Sequence, residues 1–320
     1  MRLLTILVAC LIVTAGTASA TDDNKWVELA DRSYADAVTA VANADAAGSY
    51  VRAQFVAPLA AYAGQRFGWR DQRTRAWLDR LYRLRTPTGG YGLGVPFDAF
   101  GDKTVNPADT AYTITDAWHV GRVLLAGYDG GGVPAARIRE VAHNLNTVPL
   151  SAGGHCVGYS DHANDAGKPC VWNVSAAASW FLGQALRRGL IPAREWREVA
   201  VKVRKWRTDV RTHYREDLGG WTYQENSLPL QDSWHNATTV VAMVEDRIGP
   251  RALAAHFGNW PASGANADLL TSDCTKAESN FAAIRASATK PTTAPIEVLQ
   301  TRTAYVGVLL EIARRCQGPR

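Results

Sequence analysis

Between Trp221 and Asn236 the chain concentrates side chains that can move protons or hold charge. Tyr223, Glu225, Asp232, His235 and Asn236 all fall within this one stretch. Two chemistries fit them. In a β-elimination, neutral His235 or a tyrosine such as Tyr223 removes the proton beside a uronate carboxylate. Asn236, Asn173 or Arg302 then neutralises that carboxylate and stabilises the enolate. In an inverting hydrolysis, two carboxylates roughly 6.5–9.5 Å apart serve as acid and base, and Asp109, Asp116, Glu225 and Asp232 are the candidates. His119, one turn inside its own helix, is a further proton carrier. Trp172, Trp221 and Trp234, with Tyr112, are candidate platforms for sugar rings, and core packing fits the tryptophans equally well.

Quieter roles exist for the same residues. Asp232, with Ser233, fits an N-cap, and Asn173 and Asn236 fit groups that satisfy backbone at helix starts. Both asparagines also spell glycosylation sequons, but burial at such a start argues against a glycan. His155 reads as structural, next to Cys156. Asp161, His162, Asn164 and Asp165 fit either cation ligands or a solvated polar loop. No metal and no cofactor is expected, and neither a P-loop nor a Gly-x-Ser-x-Gly elbow occurs.

The elements that must position these groups are helices. After Pro192, Trp196, Val199, Val203, Trp206 and Val210 recur at three- and four-residue steps between Arg and Lys, the pattern of a one-sided surface helix. Trp69, Trp77, Leu81 and Leu84 suggest another. The runs from Ser175 to Leu182 and from Thr238 to Met243 lack any charge, as fully buried helices do.

Amphipathic and buried helices alternate, and the joints between them match. Gly89-Gly90-Tyr91, Gly153-Gly154-His155 and Gly219-Gly220-Trp221 begin 64 and then 66 residues apart. Each leads by a loop to a similar helix start: Tyr112-Thr113-Ile114-Thr115, Trp172-Asn173-Val174-Ser175 and His235-Asn236-Ala237-Thr238. Weaker echoes stand at Ser49-Tyr50-Val51-Arg52 and Thr301-Arg302-Thr303-Ala304. A period near 60 residues, one outer and one inner helix per unit, predicts a repeat architecture. An apolar inner helix needs neighbours on both flanks and an outer helix behind it, so about five to six such hairpins curl into an all-α, (α/α) toroid, complete or incomplete. The helix starts near Thr113, Asn173 and Asn236 should then share one end of the molecule.

In this alternation of hairpins the chain resembles the alpha/alpha-toroid families: incomplete-toroid polysaccharide lyases, six-hairpin glycosidases, and terpene-cyclase and prenyltransferase barrels. The resemblance is architectural and covers most of the chain after residue 20. In toroid lyases of the alginate-lyase kind an Asn-His pair opens an inner helix; here the pair stands in the order His235-Asn236. The Asp-rich motifs of terpene cyclases are absent. The resemblance implies a polysaccharide-cleaving enzyme, a lyase ahead of a hydrolase. A non-catalytic toroid that binds glycan or protein, or a cyclase with a deep aromatic cavity, is the alternative.

Arg2, the apolar run Leu3–Gly16 and Ala18-Ser19-Ala20 have the form of a signal peptide over residues 1–20, leaving one domain over 21–320 and an extracellular location. The apolar run is shorter than the roughly 20 residues a membrane span needs. Of five cysteines, Cys10 lies in the leader; the remaining even number suggests Cys156–Cys170 and Cys274–Cys316 disulfides. The net charge of +5, or +4 without the leader's single Arg, is compatible with an anionic extracellular polysaccharide, although basic surface charge more often serves plain solubility. It is too small to argue for nucleic acid. No membrane partner is expected, and the protein should be a monomer.

Overall fold

A computed structural model describes residues 25–217, 220–227, 231, 233–245, 274, 278, 281–290, 302, 306, 309–310 and 312–313. The described chain is predominantly helical. Helix α1 spans Lys25–Ala46, α2 Ala53–Phe67 and α3 Gln72–Arg83. A π-helical stretch, Thr115–Val120, runs into α4, Gly121–Asp129. Then come α5, Ala135–Thr147; α6, Trp172–Arg187; α7, Ala193–Thr212; α8, Ser233–Glu245; and α9, Phe281–Ala288.

Two layers result. Helices α2, α4, α6 and α8 form an inner row in which each packs on the next, the π stretch meeting both α2 and α6. Behind them α3 covers α2, α5 lies across α4 and α6, and α7 backs α6. The sequence explains the division. Every residue of α6 from Trp172 to Gly183 is buried, whereas α7 buries only Val199, Val203, Trp206 and Val210. Each of those four residues taken out of water contributes roughly 1.5–3 kcal/mol, so α7 can dock by one face alone. Trp196 departs from the expected stripe. It is 51 % exposed, because a buried face centred on Val199 and Trp206 turns position 196 past the contact line.

A second core joins the two ends of the described chain. Trp26, Leu29 and Ala30 of α1 and Tyr62 of α2 pack with Ile284 and Ala288 of α9 and with Val306, Leu309 and Ile312. Trp26 meets Phe281 edge-on at 4.6 Å. Among the described residues no helix is long and apolar enough to cross a membrane; residues 1–20 lie outside them.

Glycines make close approaches possible where the units join. The Trp69 indole lies where Cβ atoms on Gly64 and Gly130 would stand, and its backbone where one on Gly132 would, so the turn after α4 closes directly over Trp69.

Candidate functional site

The Gly-Gly junctions are stitched in series by short antiparallel bridges. After the first pair, Tyr91 bridges back to Arg85; after the second, Val157 bridges to Leu150; at the third, Gly220 bridges to Arg215. Each later junction then reaches the inner helix of the preceding unit: Ser160 pairs with Tyr112, and Gln224 with Val171. Thr113 N–H donates to Tyr159 O, its hydroxyl to Gly158 O, and Glu225 N–H to Cys170 O. The approaches to the π stretch and to α6 therefore lie at one end of the molecule, linked through these junctions, and Gln231, bonded to both Asn173 and Thr239, brings the first turns of α8 to the same end. The Cys156–Cys170 disulfide, with Cα atoms 5.7 Å apart, closes the second junction. Cys274 is also disulfide-bonded; Cys316 lies outside the described residues.

At this end the third junction carries the best-placed titratable pair. The half-buried rings of Tyr223 and His235 meet edge-on, with centroids 4.9 Å apart at 89°. Burial first, then the neighbouring Tyr223, holds the Tyr159 phenol well above its ordinary range. Tyr159 also meets Tyr112 and Phe100 edge-on at 5.9 and 5.6 Å. Gln231 fixes the floor. Its Nε2 donates to Asn173 Oδ1 and to Tyr223 O, both at 3.4 Å, and its Oε1 accepts from Thr239 at 3.3 Å. The starts of α6 and α8 are thus tied to the loop bearing Tyr223. Two neighbouring helix N-termini present partial positive charge there.

The other expected residues are distributed differently. Trp172 is 1 % exposed and stacks on His213 at 4.2 Å. Trp221 is fully buried, donating its indole N–H to Val210 O at 2.6 Å. Both are core residues with no face open to a sugar ring, and Tyr112 is equally buried. Asn173 is buried in its bond to Gln231, which leaves no room for a glycan. Glu225 is half-buried beside Tyr223, whereas Asp109 is exposed in the loop before Thr110. Arg302 is occupied elsewhere. Its guanidinium donates to Ala288 O and Lys290 O, closing the C-terminus of α9, and stands 3.4 Å from Asp36. Asp232 and the side chains of Trp234 and Asn236 lie outside the described residues.

Asp116 is a strut of the first junction. Fully buried, its carboxyl accepts from Tyr91 N–H at 2.5 Å and from Asn144 Nδ2 at 2.6 Å. Burial pushes it up to about 8 against those two donated bonds. His119, on the same π stretch, is held down to about 4 by burial and then by Arg122. The second junction loop is also internally bonded. Asp161 accepts from Ala111 N–H at 3.0 Å and Thr88 Oγ1 at 2.5 Å, and buried Asp165 accepts from Asn106 Nδ2 at 2.8 Å and Ser160 Oγ at 2.5 Å. These loop carboxylates hold neighbouring segments together. Among the described residues, no three His, Cys, Asp or Glu side chains gather as metal ligands would.

Sequence reasoning passed over Tyr159, Gln231 and Thr239. The bridge register makes Tyr159 the counterpart of Tyr223, each preceding the residue that pairs with an inner-helix start. Tyr159 stands five residues after its Gly-Gly and Tyr223 three, an offset that hides the equivalence until the strands are paired.

Comparison with protein-family models gives no match to this chain, and neither does comparison with curated proteins.

Proposed function

We propose that this protein is a secreted (α/α) toroid that cleaves a uronate-containing polysaccharide by β-elimination at the junction end of its inner helices. The observation that carries the reading is the Tyr223–His235 pair, half-exposed and 4.9 Å apart, set beside the starts of two inner helices. The inner row of helices, the outer helices behind it and the shared core of α1 with the last helices support ring closure. The buried Cys156–Cys170 disulfide and the leader-like residues 1–20 support export to an oxidising compartment.

Elimination requires a base near the proton beside the sugar carboxylate, positive potential for that carboxylate, and an acid for the departing oxygen. A neutral imidazole at position 235 serves as the base. The Tyr223 hydroxyl serves as the proton donor to the leaving group, and it and the imidazole can exchange roles with the substrate's orientation. The first-turn N–H groups of α6 and α8 face the carboxylate as its charge delocalises into the enolate. Hydrolysis by a carboxylate pair is less well supported. Asp116 is walled off, Asp109 is solvated, and Glu225 is the expected carboxylate that lies beside the tyrosine among the described residues.

The test is incubation of the protein with polygalacturonate, alginate, hyaluronan and neutral glucans. Ultraviolet absorbance from an unsaturated uronate on an anionic polymer is expected. New reducing ends without that absorbance would indicate hydrolysis, and binding without cleavage a non-catalytic toroid.

A further inference from the structure

Helix α7 carries charge out of proportion to its length. Its 20 residues hold seven Arg or Lys and three Asp or Glu, a net of +4, against +5 for the whole chain. The charges are sorted by flank. Positions 195, 198, 202, 205 and 209 follow helical steps and form one stripe. There Lys202 bonds to Glu198 at 2.8 Å and to Asn146, Lys205 donates to Gly154 O at 2.5 Å, and Glu195 faces Arg194 and His143.

Positions 196, 200, 204, 207 and 211 form the other stripe, which contains no acid. Arg204 and Arg211 are exposed, and among the described residues neither has a carboxylate partner. Arg207 is fixed over α6. Its guanidinium occupies the space a Cβ on Gly183 would need, and it donates to Ser179 O at 3.4 Å. With Leu186 these three arginines line a cleft of about 380 Å³. At the N-terminal end of the stripe, one turn before Ala200, Trp196, 51 % exposed, lines a second cleft of about 660 Å³ with Arg139 and Ile191. From Trp196 to Arg211 the stripe runs about 22 Å along the helix axis.

We propose that this stripe is a second binding site, on the outer layer, for a carboxylated polysaccharide chain. The arginines suit carboxylates at intervals along a polymer, because guanidinium pairs with carboxylate by two parallel hydrogen bonds. The exposed indole suits the apolar face of a sugar ring. Neutral glucan would miss the arginines, whereas duplex nucleic acid would use them without the indole. The inference rests on the proposed function for the polymer class alone, since the stripe lies on the outer layer and the elimination chemistry at the junction end.

The experiment is calorimetric titration of the full protein with polygalacturonate, dextran and duplex DNA at low and moderate salt. It is repeated on Arg204→Gln/Arg211→Gln and on Trp196→Ala, with melting temperature as a check on folding. Polygalacturonate should bind the unaltered protein and dextran should not. The double variant should lose at least about tenfold in affinity and show a shallower salt dependence. Trp196→Ala should lose about threefold or more at unchanged salt dependence. All three proteins should melt alike, since the altered side chains are exposed. No binding of polygalacturonate, equal binding by the variants, equal binding of dextran, or tighter binding of DNA would each overturn the proposal. Loss of binding in the variants of a protein that shows no elimination would leave this site standing and remove the proposed activity. Elimination with unaltered binding would do the reverse.

Discussion

Replacing Asp116 with Ala tests whether a buried carboxyl organises the first junction. Its removal leaves Tyr91 N–H and Asn144 Nδ2 without the acceptor they now meet at 2.5 and 2.6 Å. Each unsatisfied buried donor costs about 1–3 kcal/mol, so Asp116→Ala should destabilise the protein by about 2–6 kcal/mol at pH 5. For a domain of this size that corresponds to a melting temperature lower by roughly 5–15 °C. The deficit should depend on pH. The folded carboxyl titrates at about 8, above the ordinary 3.8, so between these values the folded state keeps a proton that the unfolded chain has released. Its contribution is complete below about pH 4 and is lost as pH rises through about 8, at up to about 1.4 kcal/mol per pH unit. The stability gap between the two proteins should therefore narrow steadily from pH 5 to 8. Denaturant unfolding at several pH values measures it, and other titrating groups, His119 included, cancel in the difference. A gap that stays constant or widens over that range would show the carboxyl to be ionised throughout and would refute the reasoning.

His235→Ala should lower turnover on the cleaved polymer by two to four orders of magnitude, with stability changed by no more than about 2 kcal/mol; a protein that unfolds readily yet keeps its specific activity would make this imidazole structural. His119, held down to about 4 by burial and Arg122, contributes stability that is present above the unfolded value of 6.5 and lost as pH falls through 4. Its NMR signals should accordingly stay those of neutral imidazole at pH 5.5, and a protonated ring there would contradict the placement. Gly90→Ala places a methyl 2.6 Å from Asp116 Oδ2 and from Ala111 Cβ. It should destabilise by about 1–3 kcal/mol, read by the same unfolding curves. Cys156→Ser/Cys170→Ser opens a 14-residue separation and should cost about 3 kcal/mol, and unchanged stability under oxidising conditions would argue against the bridge.

The sequence alone determined the class of structure, because helical periodicity and burial are local properties. An uncharged run such as Ser175–Leu182 cannot face water, and Val199, Val203, Trp206 and Val210 can meet only one neighbour. The repeat of Gly-Gly junctions likewise predicted a shared end for three inner-helix starts; bridges tie in the first two, and the Gln231 bonds to Asn173 and Thr239 tie in the third. Tertiary structure decided which polar and aromatic residues remain available there, since availability depends on what other segments cover. Trp172 and Trp221 disappear beneath His213 and Tyr214. Asp116 is spent on Tyr91 and Asn144 from two different segments, and Arg302 on the end of α9. Trp196, by contrast, was assigned to the core by its spacing and emerged at the surface. Periodicity gives the direction of a side chain around its own helix, but the width of the buried arc is set by the helix it packs against.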